Sequence, residues 1–407
     1  MEKLKIVQEA DELLGTPASG NALGWGTKIT LLLASTLTVM SGATISPSLP
    51  QISQVFADVP NIAMLSRLVL TIPALFIAVC APLAGYILDR FGRKPLLLGS
   101  LVLYGVAGSS GLYLDNLTAI LVGRALLGIA VAGIMTTVVT LIGDYFEGEE
   151  RSGFMGLQAA FMGLGGVLFI SGGGYLADIG WRWPFAIYFF SLLLIPLVVT
   201  FLPEPSSEAE QGEDTASRSP QNYSQTLIAV LFIVVVLNMI AFYMVPVQMP
   251  FFLSETIQVN NTLAGVAIAM ITFSSAMVSL LYRRIKARFS FYAIYTVVFI
   301  MIAAGYVLIS QSTTYSMVIP ALLIAGMGSG LFLPNVNLHI MELAPANLRG
   351  RFVSGITSAM FLGQFVSPIA VQPLVTQFSL AQTFMYVGLG MGMIALLFLL
   401  TSLVKKA

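Results

Sequence analysis

Charge is absent from most of this sequence, and where it is absent decides what the chain can fold into. No acidic or basic residue occurs between Lys28 and Asp58, between Arg67 and Asp89, or between Lys94 and Asp115. Such stretches are long enough to cross a bilayer, because about 20 helical residues span the ~30 Å hydrocarbon core. Three more follow: Leu117–Gly143 with Arg124 inside it, Ser152–Ala177, and Trp183–Leu202. The character then changes. Residues Pro203–Gln225 hold five acids with several Ser and Pro and few apolar residues, and read as a flexible linker.

The second half repeats the first. Its spans are expected at Thr226–Leu253, Leu263–Tyr282, Ser290–Ser310, Tyr315–Met341, Phe352–Phe378 and Leu380–Val404. Residues 289–341 and 352–404 form uncharged stretches of 53 residues each, too long for one span and right for a helical hairpin. The expectation is an all-α membrane protein of twelve transmembrane helices, arranged as two six-helix bundles around a central cavity. Its divisions are an N-terminal segment 1–26, a bundle 27–202, a linker 203–225 and a bundle 226–407. Residues 1–14 are read either as a short interfacial helix or as a tail. No cleavable leader is read in residues 1–26, so the first span serves as the targeting signal.

Lysine and arginine set the orientation. With both termini inside, sixteen of them fall on the inner side, among them Lys28, Arg90, Arg93, Lys94, Arg151, Arg349 and Arg351. The outer side keeps Arg67 and Arg182, and Arg124 stays in the membrane. The expected location is a bacterial inner membrane, multi-pass, with cytoplasmic termini.

Composition also excludes. The chain is 57% hydrophobic and 9% charged with a net charge of zero, and its mean hydropathy is +0.90. Nothing points to nucleic acid. Cys80 is the only cysteine and His339 the only histidine, so disulfides and Cys or His metal clusters are not expected. No Gly-x4-Gly-Lys-Ser/Thr loop occurs, so ATP-driven transport is not expected. No clustered catalytic set occurs, so the chain is not read as an enzyme, and no cofactor is expected.

The halves resemble each other in detail. "GDYFEGEERSGFMG" around Asp144 and Arg151 matches "IMELAPANLRGRFVSG" around Glu342 and Arg349, each placing an acid seven residues before an arginine. The same offset aligns Gly163 with Phe361. Internal repeats with a binding site at their interface are a transporter plan.

One stretch, "GYILDRFGRKP" from Gly85 to Pro95, gathers charge at the inner end of the second span. Gly85, Ile87, Asp89, Arg90, Gly92, Arg93 and Lys94 follow the pattern Gly-x-Leu-x-Asp-Arg-x-Gly-Arg-Lys with Ile for Leu. On these residues the chain resembles the major facilitator superfamily. Arg124 and Gly128 in the fourth span, "PSLPQI" at Pro47–Ile52 and "GWRWPFAIYF" at Gly180–Phe189 are similar to its twelve-helix drug:proton antiporter branch. The branch's glutamine before Gly128 is Leu127 here, and Phe169-Ile170 stands where its Gly-Pro is expected, before Gly173-Gly174. The proline occurs at the aligned place in the other half, Ser367-Pro368.

The resemblance implies the major facilitator fold, alternating access, and a conformational latch formed by Gly85, Asp89, Gly92, Arg93 and Asp144. In it Asp89 accepts from the N-terminus of the eleventh helix, where a carboxylate meets free N–H groups and a favourable dipole, and Arg93 pairs with Asp144. Arg90 and Lys94 are read as positive-inside anchors. Arg124 is costly in the membrane, by about 2.5–3.5 kcal/mol on insertion scales. It is read either as bonded structurally to the first span (Ser41, Thr44) or as a coupling or substrate residue. No acid lies in mid-span, which leaves Asp144, Glu342, Glu255 and His339 as proton carriers by elimination. His339 and Glu342, one turn apart, form either a relay or an ordinary rim pair. The expected cavity residues are Met40, Ser41, Thr44, Arg124, Gln158, Asn238, Tyr243, Asn335, Asn337 and Gln364, with Met239 and Phe242 as apolar surface. Such a lining suits a neutral, zwitterionic or anionic molecule. The expected function is a monomeric, proton-coupled exporter of a small organic molecule in the lipid bilayer. The alternative is a uniporter or symporter for a sugar or organic anion.

Overall fold

The computed structural model describes residues 24–204, 225–345 and 348–404. The expected N-terminal interfacial helix and most of the linker lie outside the described residues. Within them are twelve helices long and apolar enough to cross a membrane. They are α1 (Trp25–Val55), α2 (Ile62–Phe91), α3 (Arg93–Tyr113), α4 (Leu117–Tyr145), α5 (Gly148–Ile179) and α6 (Trp183–Phe201), then α7 (Gln225–Ile257), α8 (Asn261–Leu280), α9 (Phe291–Ser310), α10 (Tyr315–Leu343), α11 (Arg349–Gln377) and α12 (Leu380–Val404).

Local chemistry sets the ends. Asn116 accepts from the amides of Thr118 and Ala119 to start α4, and Asn260 and Ser290 cap α8 and α9 in the same way. Ser379 and Gln382 form a reciprocal capping box on α12. Several boundaries differ from those expected, among them the start of α2, which at Ile62 puts Arg67 inside the helix, the start of α1 and the end of α7. Helix α1 starts at Trp25, so Lys28 lies in its first turn and pairs with Glu150 at 3.0 Å. Helix α7 runs past Leu253 because its last residues, Leu253–Ile257, form a π turn. Prolines interrupt α1, which breaks into a helix Trp25–Ala43, a 3-10 turn Ser46–Ser48 and a helix Leu49–Val55. They are also carried inside α2, α7, α10 and α11.

Helices α1–α6 and α7–α12 each surround an apolar core. Leu168, Met393 and Leu397 are exposed, as lipid-facing side chains are. The two bundles meet at the end opposite the basic loops. There Val247 and Phe251 of α7 join the core of the first bundle, and Ile170 of α5 joins that of the second. Ser46 donates to the carbonyl of Pro246. Asp178, at the end of α5, accepts from the amides of Asn261 (2.8 Å) and Thr262 (3.0 Å), the first turn of α8. A carboxylate there satisfies free N–H groups and meets the positive end of the helix dipole.

Below Asp178, α5 and α8 touch backbone to backbone. A Cβ on Gly174 would lie 2.5 Å from the Asn261 carbonyl and 3.0 Å from the Gly265 Cα. Small residues of this kind let membrane helices approach closely. Gly174→Val or Gly265→Val therefore overpacks the seam, which typically costs about 1–3 kcal/mol. Thermal unfolding of the purified protein checks this: both variants should melt earlier than the parent. Gly172→Val, where a Cβ meets nothing within 4 Å, should not.

Candidate functional site

Between the bundles lies a cavity of about 250 Å³. Helices α1, α2, α5, α7, α8 and α11 supply its walls. Leu70, Pro73, Ala74, Ile77, Ile268 and Ile271 make most of the surface apolar, and Phe242, Tyr243 and Phe361 add aromatic rings. Thr38, Ser41, Thr272, Tyr243 and Gln364 bring the polar atoms; no charged side chain is in the lining. The Tyr243 hydroxyl sits 2.5 Å from where a Cβ on Gly42 would be, so the two bundles approach across this cavity.

Of the residues expected here, Ser41, Phe242, Tyr243 and Gln364 line the cavity. The others lie outside the lining, several because they are bonded elsewhere. Met40 is buried in the core of the first bundle. Thr44 donates to the Met40 carbonyl. Gln158 bonds the Ser35 hydroxyl at 2.9 Å and ties α5 to α1. Asn335 accepts from Tyr282 and donates to the Phe291 carbonyl, which fixes α10 to the start of α9. Asn238 is fully buried, and neither amide atom has a hydrogen-bond partner among the described residues. Asn337 is half-buried and outside the lining. Sequence reading missed Thr38, Gly42, Thr272 and Phe361. Thr38 lies three residues before Ser41, and Gly42 four after Thr38, so helical spacing was the signal for Thr38 from Ser41 and for Gly42 from Thr38. Nothing in the composition of α8 singled out Thr272.

Arg124 stands behind Ser41 and is fully buried. Its Nε donates to the Val69 carbonyl and its Nη2 to the Ser41 carbonyl, both at 2.8 Å. The ring of Tyr188 lies 5.0 Å away. These two carbonyls lack helical partners. Four residues after Val69 is Pro73, which has no N–H, and the first segment of α1 ends at Ala43, just after Ser41. Arg124 therefore occupies two acceptors that no helical amide takes, one on α1 and one on α2, and the Tyr188 hydroxyl shares the Ser41 carbonyl at 3.3 Å. Gly128, one turn along α4, leaves room for the Pro73 carbonyl, which a Cβ would meet at 2.4 Å.

At the basic end, Arg93 Nε lies 3.0 Å from Asp144. Gly92 has φ +91, a backbone conformation that favours glycine. Glu204 accepts from the amides of Arg93 (2.7 Å) and Lys94 (3.1 Å) and thereby caps α3. Lys94, read from sequence as an anchor, donates at 2.9 Å to the carbonyls of Val199 and Leu202 at the end of α6. Tyr145 donates to Pro203. Asp89 is exposed and accepts no hydrogen bond among the described residues, and Gly85 faces open space. His339 stacks on Phe291 at 4.3 Å, with the Tyr295 hydroxyl 3.4 Å from Nδ1, whereas Glu342 is exposed.

A family model described as Major Facilitator Superfamily matches residues 31–368. The bacillibactin exporter of Bacillus subtilis (strain 168) is 26% identical over 323 residues, 74% of this chain and 78% of that protein. The multidrug transporter protein MdtP of the same organism is 28% identical over 158 residues, 39% of this chain and 28% of that protein. Among solved structures, the inward open xylose transporter XylE from E. coli has a TM-score of 0.75 at 15% identity, covering 91% of this chain and 94% of that one. A bacterial homologue of the human lysosomal transporter Spinster, inward-facing and occupied, also scores 0.75 at 16% identity, covering 92% and 96%. At such identities the structures speak to the fold alone. With the family match spanning most of the chain and twelve apolar helices long enough to cross a membrane among the described residues, the chain belongs to the major facilitator superfamily, as an integral multi-pass membrane transporter of small molecules.

Proposed function

We propose that this protein exports a small, uncharged organic molecule across a bacterial inner membrane by alternating access, in exchange for protons, as a monomer. The observation that carries this reading is the central cavity, with its apolar and aromatic surface, few hydroxyl and amide groups and no charged side chain. An exporter as relative over 74% of the chain supports the direction. The excess of Lys and Arg at one end supports a cytoplasmic placement of that end. On that orientation the described contacts between the bundles close the external side, and the cavity faces the cytoplasm.

Outward opening then requires the Asp178, Ser46 and Arg67 contacts of the external end to part. At the cytoplasmic end Asp89, free in this state, would take up the first turn of α11. Arg93 and Asp144 hold the turn that follows Asp89 at the end of α2, and Glu204 and Lys94 fasten α3 to α6 beside it. Proton carriage falls to groups outside the cavity lining: Asp144, Glu342 and His339, with Arg124 as the buried cation nearest the cavity. The lack of an acid in the lining also favours a second reading, a uniporter or symporter for a neutral molecule such as a sugar. An organic anion would find no counter-charge there.

The test separates the two readings. A ligand found by thermal-shift screening of neutral aromatic compounds is followed in proteoliposomes under an imposed pH gradient. One pH unit supplies about 1.4 kcal/mol per proton, so one-for-one exchange concentrates ligand about tenfold. Equal movement with the gradient collapsed would favour the uniporter. Asp89→Asn should leave the ligand Kd unchanged in calorimetry while turnover falls. A charge at a helix terminus is worth about 0.3–2 kcal/mol, which corresponds to a loss of up to about thirtyfold. Weakened binding in this variant would sink the latch.

A further inference from the structure

A second cavity, of about 620 Å³, opens at the end opposite the basic loops. Both bundles line it. Ser53 of α1 and Arg67 of α2 come from the first, and Glu255 of α7, Gln372 of α11 and Ser379, just before α12, from the second. Unlike the central cavity, it contains opposite charges.

Arg67 is 4% exposed. Its Nε donates to Gln248 Oε1 at 2.8 Å and its Nη1 to the Ala63 carbonyl, while Nη2 has no hydrogen-bond partner among the described residues. Phe251 covers one side of the guanidinium at 4.0 Å. Glu255 is exposed and makes no ion pair with Arg67 or with any other cation among the described residues. Two buried amide atoms beside them, Gln248 Nε2 and Gln372 Oε1, also lack partners. The backbone that presents Glu255 is irregular. It is the π turn Leu253–Ile257, followed by Gln258 at φ 59. Single π turns occur frequently at functional sites, and a left-handed non-glycine residue is uncommon enough to suggest one.

A cation with a spare donor and an acid with spare acceptors share one cavity without pairing, and Phe251, Val375, Phe378 and Leu380 supply apolar surface beside them. We propose that this cavity binds a small zwitterion with an apolar body, its carboxylate on Arg67 and its ammonium on Glu255. Guanidinium–carboxylate recognition is among the stronger charge-assisted contacts, and it would engage a donor that no protein group among the described residues takes. Because Arg67 and Glu255 belong to different bundles, the ligand also ties the bundles together at this end. A ligand that prefers one of two states shifts the population toward it. The binding claim stands on the cavity alone; the tie rests on alternating access.

The test uses three probes on the full-length protein: L-phenylalanine, phenylacetate and phenethylamine. L-Phenylalanine should raise the melting temperature in a saturable way, as a ligand of the folded state does, and the singly charged analogues should not. Glu255→Gln, at an exposed position with no hydrogen bond to lose, should melt like the parent and lose the shift. Gln364→Ala, in the central cavity, should keep it. An equal shift with phenylacetate overturns the site, as does a shift that survives Glu255→Gln or disappears in Gln364→Ala. For the tie, Ala74→Cys in a Cys80→Ser background is labelled from outside with an impermeant thiol reagent. L-Phenylalanine should slow labelling several-fold, with the concentration dependence of the thermal shift; an unchanged rate refutes the tie.

Discussion

A backbone carbonyl without a donor is expensive in hydrocarbon, because no water is there to take it up. Proline creates such carbonyls inside helices, and this chain places polar side chains against them. Pro73 frees the Val69 carbonyl, and Arg124 takes it together with the Ser41 carbonyl at the broken end of the first segment of α1. Pro250 frees the Pro246 carbonyl, and Ser46 takes it from the other bundle. The first arrangement joins three helices behind the cavity. The second joins the two bundles at the closed end. The cost of an intramembrane arginine is offset here by two backbone acceptors, the Val69 carbonyl that Pro73 leaves free and the Ser41 carbonyl it shares with the Tyr188 hydroxyl, so Arg124 belongs to the frame of the cavity before any further role is assigned to it.

The two ends of the molecule use different chemistry. At the closed end the bundles are held by Asp178 on the first turn of α8, by glycine-to-glycine backbone contact, and by a buried Arg67 bonded to Gln248. At the basic end the ion pairs Arg93–Asp144 and Lys28–Glu150 stay inside the first bundle. They stiffen that bundle without tying it to the other. In both places a carboxylate meets, or is offered to, the N-terminus of a helix from the opposite bundle: Asp178 to α8 here, Asp89 to α11 in the proposed closed state. Contacts of this kind are worth only about 0.3–2 kcal/mol, weak enough to be broken in each cycle.

Much of this was legible in the sequence. Charge-free length alone yields twelve spans and their division into six and six, since only helices or closed barrels cross a bilayer. The motif "GYILDRFGRKP" marked where charge matters. The cavity was less legible. Polarity pointed to Asn335 and Gln158, yet both tie neighbouring helices, because an amide in a membrane bundle bonds the first partner within reach. The apolar residues Ile77 and Phe361 line the cavity, and nothing in composition sets them apart from lipid-facing ones. Lys94 and Glu204 looked like an anchor and a linker acid. Their exchange of caps between α3 and α6 depends on bundle geometry that no local spacing carries.

The account depends on the two bundles closing one end as they open the other. Pulsed electron–electron spin distances in lipid nanodiscs measure this directly, in a Cys80→Ser background. One labelled pair, Glu149→Cys with Arg284→Cys, spans the basic end; a second, Asp58→Cys with Thr256→Cys, spans the opposite end. Each pair should give two distances. The fraction of molecules with the long distance at the basic end should equal the fraction with the short distance at the other, across changes of pH. Populations that vary independently, or both ends widening together, would contradict alternating closure of the two bundles.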